Sequence, residues 1–205
     1  MRQHFLLLVL ALAMLVQPAL AQPSEEEAGS WRLSCVTDRM TDRTVCILRH
    51  RDWVERSAVG AGLALEIMER EGMLVPAVTA RDLSLDSAMR GLLAFTGTAQ
   101  LRFDSNTMLE LPCGLEGRNL ICTPRRGEAE RAAAELLTAR RALVRMSGLG
   151  SSTTAATEPT ELALSQTRAA TEMLRRRQPA GTAPPPEAPG FDLREWLGRL
   201  QRLIP

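Results

Sequence analysis

The 205-residue chain has no lysine and no tyrosine: all 25 of its Lys+Arg positions are arginine, aromatics make up 3%, and His4 and His50 are its only histidines. Each shortage removes chemistry. Without lysine there is no side-chain amine for Schiff-base or related nucleophilic catalysis. With a single histidine beyond the N-terminal region, His-dependent acid–base catalysis would have to run through His50. That residue sits among Arg49, Arg51 and Asp52 with no nucleophile motif nearby, so a solvated strand end is expected there. Scarce aromatics leave few platforms for stacking sugars, so Asp38, Asp42 and Asp52 are read as surface charges and not as a glycosidase pair. Gly60-Ala61-Gly62 lacks the lysine and the following helix of a phosphate-binding loop. The formal charge is +1 and neither sign is clustered, which argues against nucleic acid. The chain is therefore read as non-enzymatic, with no cofactor and no metal.

What is present begins with an export signal. Arg2 precedes an unbroken apolar run from Phe5 to Val16, followed by Gln17, Pro18 and the small-residue pattern Ala19-Leu20-Ala21. That order reads as a secretory signal peptide over 1–21, cleaved after Ala21. The apolar run is shorter than the roughly 20 residues a membrane span needs. No cysteine stands at the cleavage site to take a lipid anchor.

All four cysteines, Cys35, Cys46, Cys113 and Cys122, follow the leader and would fold in an oxidising compartment. Sequence alone permits three connectivities. Alternation favours the two local ones. Trp31, Leu33 and Cys35 share one face of a strand, and Thr44, Cys46 and Leu48 share a face of the next, with the polar stretch 37–42 as the turn. Leu109, Leu111 and Cys113 likewise share a face, as do Leu120 and Cys122, across a turn expected at 114–117. Opposed residues of an antiparallel pair approach closely enough to be bridged. A site with all four thiolates on zinc is the rival, but it normally shows closely spaced pairs such as C-x-x-C.

Two further hairpins are expected between the staples. Leu63, Leu65 and Ile67 alternate before Glu71-Gly72 and the run 74–78, whose Pro76 points to an edge strand. Ala99, Leu101 and Phe103 alternate before an Asp104-Ser105-Asn106 turn that leads into Leu109. After Pro124 the period becomes helical, through Ala129, Ala132, Ala133, Leu136 and Leu137. A strand over 142–146 follows, then an apolar alternation at Leu162 and Leu164, and a second helix towards Arg177 that buries Ala169, Ala170, Met173 and Leu174. The expected class is mainly β (α+β): an antiparallel β-sandwich-like domain with two short helices.

The expected division is a tail over 22–29, the stapled β domain over 30–177, a Pro-rich linker over 178–190 and an amphipathic helix over 191–205. Five prolines between Gln178 and Gly190 favour a semi-rigid extended linker. Beyond it, Asp192 is placed to cap a helix with Glu195, and Phe191 to staple against Trp196. Phe191, Leu193, Trp196, Leu197, Leu200, Leu203 and Ile204 then form an apolar stripe, the candidate partner-binding residues. So short a helix is marginal alone in water, so the stripe needs a seat. Its own domain, another envelope protein, or a membrane surface attracted by Arg194, Arg199 and Arg202 would each provide one.

Trp31-x-x-x-Cys35, Cys46-Ile47-Leu48, the late pair Cys113 and Cys122, and Glu161-Leu162-Ala163-Leu164-Ser165 between a strand and a last helix resemble, as a combination, the invasion-associated locus B family. The resemblance covers about 30–177. It implies a periplasmic or secreted bacterial protein of mainly β, sandwich-like fold, associated in some pathogens with host-cell invasion and without a catalytic site to carry over. The chain departs from the family in the spacing of its second cysteine pair, in Arg49 where glutamine is common, and around 91–97. The reading is an exported binding or structural protein that engages an envelope or host protein. A periplasmic enzyme or enzyme inhibitor is the alternative, and its enzyme form would require His50 in a concave site beside a carboxylate and a hydroxyl.

Overall fold

The computed structural model describes residues 24–56, 62–83, 97–147 and 158–182. The expected signal peptide, the terminal helix and most of the Pro-rich linker lie outside them. Within them ten strands form antiparallel ladders in the order β1-β2-β3-β4-β5-β8-β7-β6-β9-β10. The strands are β1 (Ser24–Ala28), β2 (Trp31–Asp38), β3 (Arg43–Glu55), β4 (Leu63–Arg70), β5 (Met73–Ala80), β6 (Thr98–Phe103), β7 (Leu109–Glu116), β8 (Asn119–Cys122), β9 (Arg141–Ser147) and β10 (Thr160–Ala163). Two helices, α1 (Ala129–Thr138) and α2 (Thr167–Arg177), complete the mainly β, sandwich-like fold.

The ladder bends into two layers at β7. Residues 109–112 pair with β6, whereas Cys113–Glu116 pair with β8. A strand that changes sheets in this way makes the corner of a sandwich. Pro112 sits at the switch and has no N–H to donate, so ending one ladder there forfeits no hydrogen bond from its nitrogen. The Cys113 N–H goes to Gly97 O instead (3.2 Å). Sheet A therefore holds β1 to β5, β8 and the second half of β7; sheet B holds the first half of β7, β6, β9 and β10. Between them lie Trp31, Leu33, Leu48, Leu65, Val78, Leu101, Phe103, Leu111, Leu120, Val144 and Met146, all at most 1% exposed. The helices add Ala132 and Leu136 from α1, and Ala170, Met173 and Leu174 from α2, to the same core.

Several expectations shift in detail. Residues 24–28, expected as a tail, form an edge strand that pairs from Ser24 with Cys35 to Ala28 with Trp31. The Gly29 turn then seats against Ser165: a Cβ there would lie 2.5 Å from Ser165 O, and φ is +56°, so only glycine fits. At the other end, Gln178 is buried and Gly181 N–H donates to Glu69 Oε1 (2.7 Å), so the domain continues to at least 182. Strand β5 is not an edge, since β8 lies beside it at Val78–Ala80, past Pro76, where every residue has an N–H. The second staple turns at Gly117-Arg118, later than expected, because β7 runs on to Glu116. In α2, Thr167 and Thr171 are buried and Ala169 is exposed.

Candidate functional site

The cysteines pair as alternation requires. Cys35 faces Cys46 with Cα atoms 4.1 Å apart, and Cys113 faces Cys122 at 3.9 Å. All four sulfurs are in disulfides, so no thiolate is left for zinc. Among the described residues no group of His, Cys, Asp or Glu is arranged to hold a metal ion. No described helix is long and apolar enough to cross a membrane.

His50 departs from expectation: it is 1% exposed and lies in the core, not at a solvated strand end. The parity that turns Cys46 and Leu48 inward carries on to His50, opposite Trp31. Its ring meets the Trp31 ring edge-on at 5.5 Å between centroids, and Trp31 Nε1–H donates to Thr167 Oγ1 (3.1 Å) at the start of α2. Asp52 N–H donates to His50 Nδ1 (3.0 Å), so the ring proton is on Nε2, where Ala163 O accepts it (3.0 Å). Both nitrogens are occupied by backbone. The residue ties β3 to β10, and among the described residues it has none of the carboxylate and hydroxyl partners that the enzyme reading needs. Replacing His50 with leucine should cost about 1–3 kcal/mol by stranding Asp52 N–H and Ala163 O, measured by urea unfolding.

The most exposed large apolar side chains among the described residues gather at the first staple. Among the described residues the β1 ladder covers β2 from Trp31 to Cys35, and the ladder from β4 to β3 begins at Leu48. Residues 36–45 therefore form, among the described residues, a two-stranded finger whose ladder is internal only. Its outer face carries Val36 (63% exposed) opposite Val45 (42%), and Met40 (92%) stands at the tip. The other face is tied by the Thr37 and Thr44 hydroxyls at 2.9 Å. At the turn, Met40 N–H donates to Asp38 Oδ1 (2.7 Å). That bond, with the Thr41 hydroxyl, holds the Asp38 carboxyl below its ordinary range. The turn is thus favoured above the ordinary Asp pKa, and the gain is lost as pH falls through the lowered one.

The base of the finger is fastened twice. Besides the disulfide, Cys46 N–H, which points away from β2, donates to Gln178 Oε1 (3.0 Å). Gln178 follows α2 directly and substitutes for the strand that β4 does not provide there. A two-stranded ribbon alone is marginal in water, and this anchoring is what lets it present apolar side chains.

A second surface lies on the outer face of sheet B, a shallow cavity of about 230 Å³ lined by Gln100, Arg102, Met108, Leu143, Arg145 and Pro159. Arg145 donates to Gln100 Oε1, and Arg102 to the carbonyls of Asn106 and Ser105. Among the described residues neither guanidinium has a carboxylate within ion-pair distance. Sequence reasoning singled out neither surface. The candidate stripe Phe191, Leu193, Trp196, Leu197, Leu200, Leu203 and Ile204 lies outside the described residues.

These features define a class: an antiparallel β sandwich stapled at two hairpins, with an apolar finger on its edge. Comparison with protein-family models, with curated proteins and with solved structures gives no match.

Proposed function

We propose that this is an exported binding or structural protein, periplasmic or secreted, that engages an envelope or host protein through the stapled finger. The single observation that carries the reading is the projection of Val36, Met40 and Val45 into solvent on a ribbon fixed at its base by Cys35–Cys46 and Gln178. Exposed apolar side chains on an anchored element mark an interaction surface, and a rigid presenter reduces the ordering cost of binding. Among the described residues the edge of β3 before Cys46 has no strand beside it, which leaves backbone groups for strand addition.

Two disulfides suit an oxidising compartment, and the sequence 1–21 reads as the leader that would deliver the chain there. A mainly β, sandwich-like fold is also what the resemblance to the invasion-associated locus B family implies. Membership in that family would support the fold more than a role in invasion.

The test is capture from envelope extracts with the chain from Gln22 onward, compared with its Met40→Asp and Val36→Asp variants. A partner held through the finger should lose roughly tenfold or more in affinity on either substitution, about 1.4 kcal/mol or more, when re-measured with purified components. Partners bound equally by all three proteins would remove the finger from the reading.

A further inference from the structure

Sheet A has a second buried side. Directly opposed residues point the same way, so the register places Arg49, Glu66 and Ala77 in one row on the outer face. Trp53, Ala64, Thr79, Ile121 and Gly114 form the next row. Met68 and Val75 form a third, and Arg70 and Met73 a fourth, nearest the β4–β5 turn. Of these, Ala64, Glu66, Val75, Ala77, Thr79 and Ile121 are at most 5% exposed, yet none belongs to the core between the sheets. Neither helix lies over them, because the apolar residues that α1 and α2 bury belong to that interior core.

The face has the shape of a seat. Ala64, Ala77 and Gly114 keep it low, and a Cβ at Gly114 would meet nothing within 4 Å. Glu66 lies within it, bonded by Arg81 Nη2 at 2.6 Å, so the charge that an apolar occupant would cover is already paired. Beside it Thr79 Oγ1 is buried without a hydrogen-bond partner, an orphan that a covering segment would meet.

We propose that the occupant is the chain's own segment 191–205, laid along β4 and β5 with its apolar stripe against this face. The described chain ends at the right place. Arg175 donates to Gly72 O (2.8 Å) in the β4–β5 turn, and Gly181 N–H to Glu69 Oε1 (2.7 Å), so the chain leaves beside the end of the face that Arg70 and Met73 occupy. The eight residues 183–190 reach about 25 Å when extended as polyproline. That is ample to round the turn. A helix over 191–205 would be about 22 Å long. The eight-residue strands β4 and β5 run about 26 Å, so stripe and seat match in length. Leu193, Trp196, Leu197 and Leu200 supply the bulk that Ala64, Ala77 and Gly114 lack.

The experiment uses the chain from Gln22 to Pro205, carrying a photo-crosslinking residue in place of Leu200, with products mapped by peptide mass spectrometry. Cross-links within one molecule to 64–68 and 75–79 are expected. Ala77→Arg, which fills the seat, and Leu197→Asp, which spoils the stripe without touching the sheet, should each lower their yield about tenfold, as the loss of 1.4 kcal/mol would. A peptide of 187–205 should also bind the chain ending at Thr182. Cross-links between molecules would instead assign the face to a second copy. Cross-links elsewhere, or a yield indifferent to Leu197→Asp, would equally overturn the proposal.

Discussion

Replacing Cys113 and Cys122 together with alanine should destabilise the protein by about 3 kcal/mol and lower its Tm by roughly 6–12 °C. Chain entropy alone gives about 2.7 kcal/mol for so short a loop and about 2.8 for the Cys35–Cys46 loop, so it does not separate the two staples. Position does. Cys122 is fully buried in the common core, and its bridge stands where β7 passes from sheet B to sheet A beside Pro112. Its loss removes core volume and frees the corner that orients the layers. Cys35 and Cys46 are half-buried at the base of the finger, where Gln178 and the β1 ladder still hold. Alanine at both should cost less, and the damage should concentrate in 36–45 as faster amide exchange. Calorimetry of both double variants tests the ordering. Equal Tm losses would show that the corner carries no special role.

Much of this architecture was legible because alternation is a strong signal in half-buried strands. The same parity that assigned both disulfides also turns His50 inward, through Thr44, Cys46 and Leu48. The neighbouring charges Arg49, Arg51 and Asp52 obscured that, although Arg49 and Arg51 alternate with His50 and Asp52 lies where the register shifts between Arg49 and Trp53. The finger was less legible. Its exposure depends on where β4 stops pairing with β3, a long-range property with no mark in residues 36–45 themselves. The β7 switch was hidden for a similar reason, since Pro112 shows only that one ladder must lapse. The cavity on sheet B joins Gln100, Arg102, Leu143 and Arg145 across β6 and β9, strands some forty residues apart in the chain, so no local motif announces it. Pro76 misled in the opposite direction, because a proline can sit in an inner strand wherever the neighbour begins beyond it.

Substituting Arg81 with alanine should cost about 3–5 kcal/mol, more than any single change to the finger or the cavity. The side chain of Glu66 is only 2% exposed, whereas that of Arg81 is 32% exposed. Burial works against the Arg81 charge, but the hydrogen bonds and charge of Glu66, helped by Glu116 and Asp82, outweigh it and push its pKa up. Removing the arginine leaves a carboxylate buried without its counter-ion. Removing the glutamate is milder, because the guanidinium can turn towards water. Glu66→Leu should therefore cost about 1–2 kcal/mol, and the pair Glu66→Leu with Arg81→Met should recover most of the Arg81→Ala loss, a coupling that a double-mutant cycle reads directly. The same cycle reports on the seat. If segment 191–205 covers Glu66, then in the chain ending at Thr182 water reaches the unpaired carboxylate, and the cost of Arg81→Ala should fall towards the 1 kcal/mol or so of a surface pair. An Arg81→Ala penalty unchanged by the truncation would mean that Glu66 owes its burial to the sheet alone.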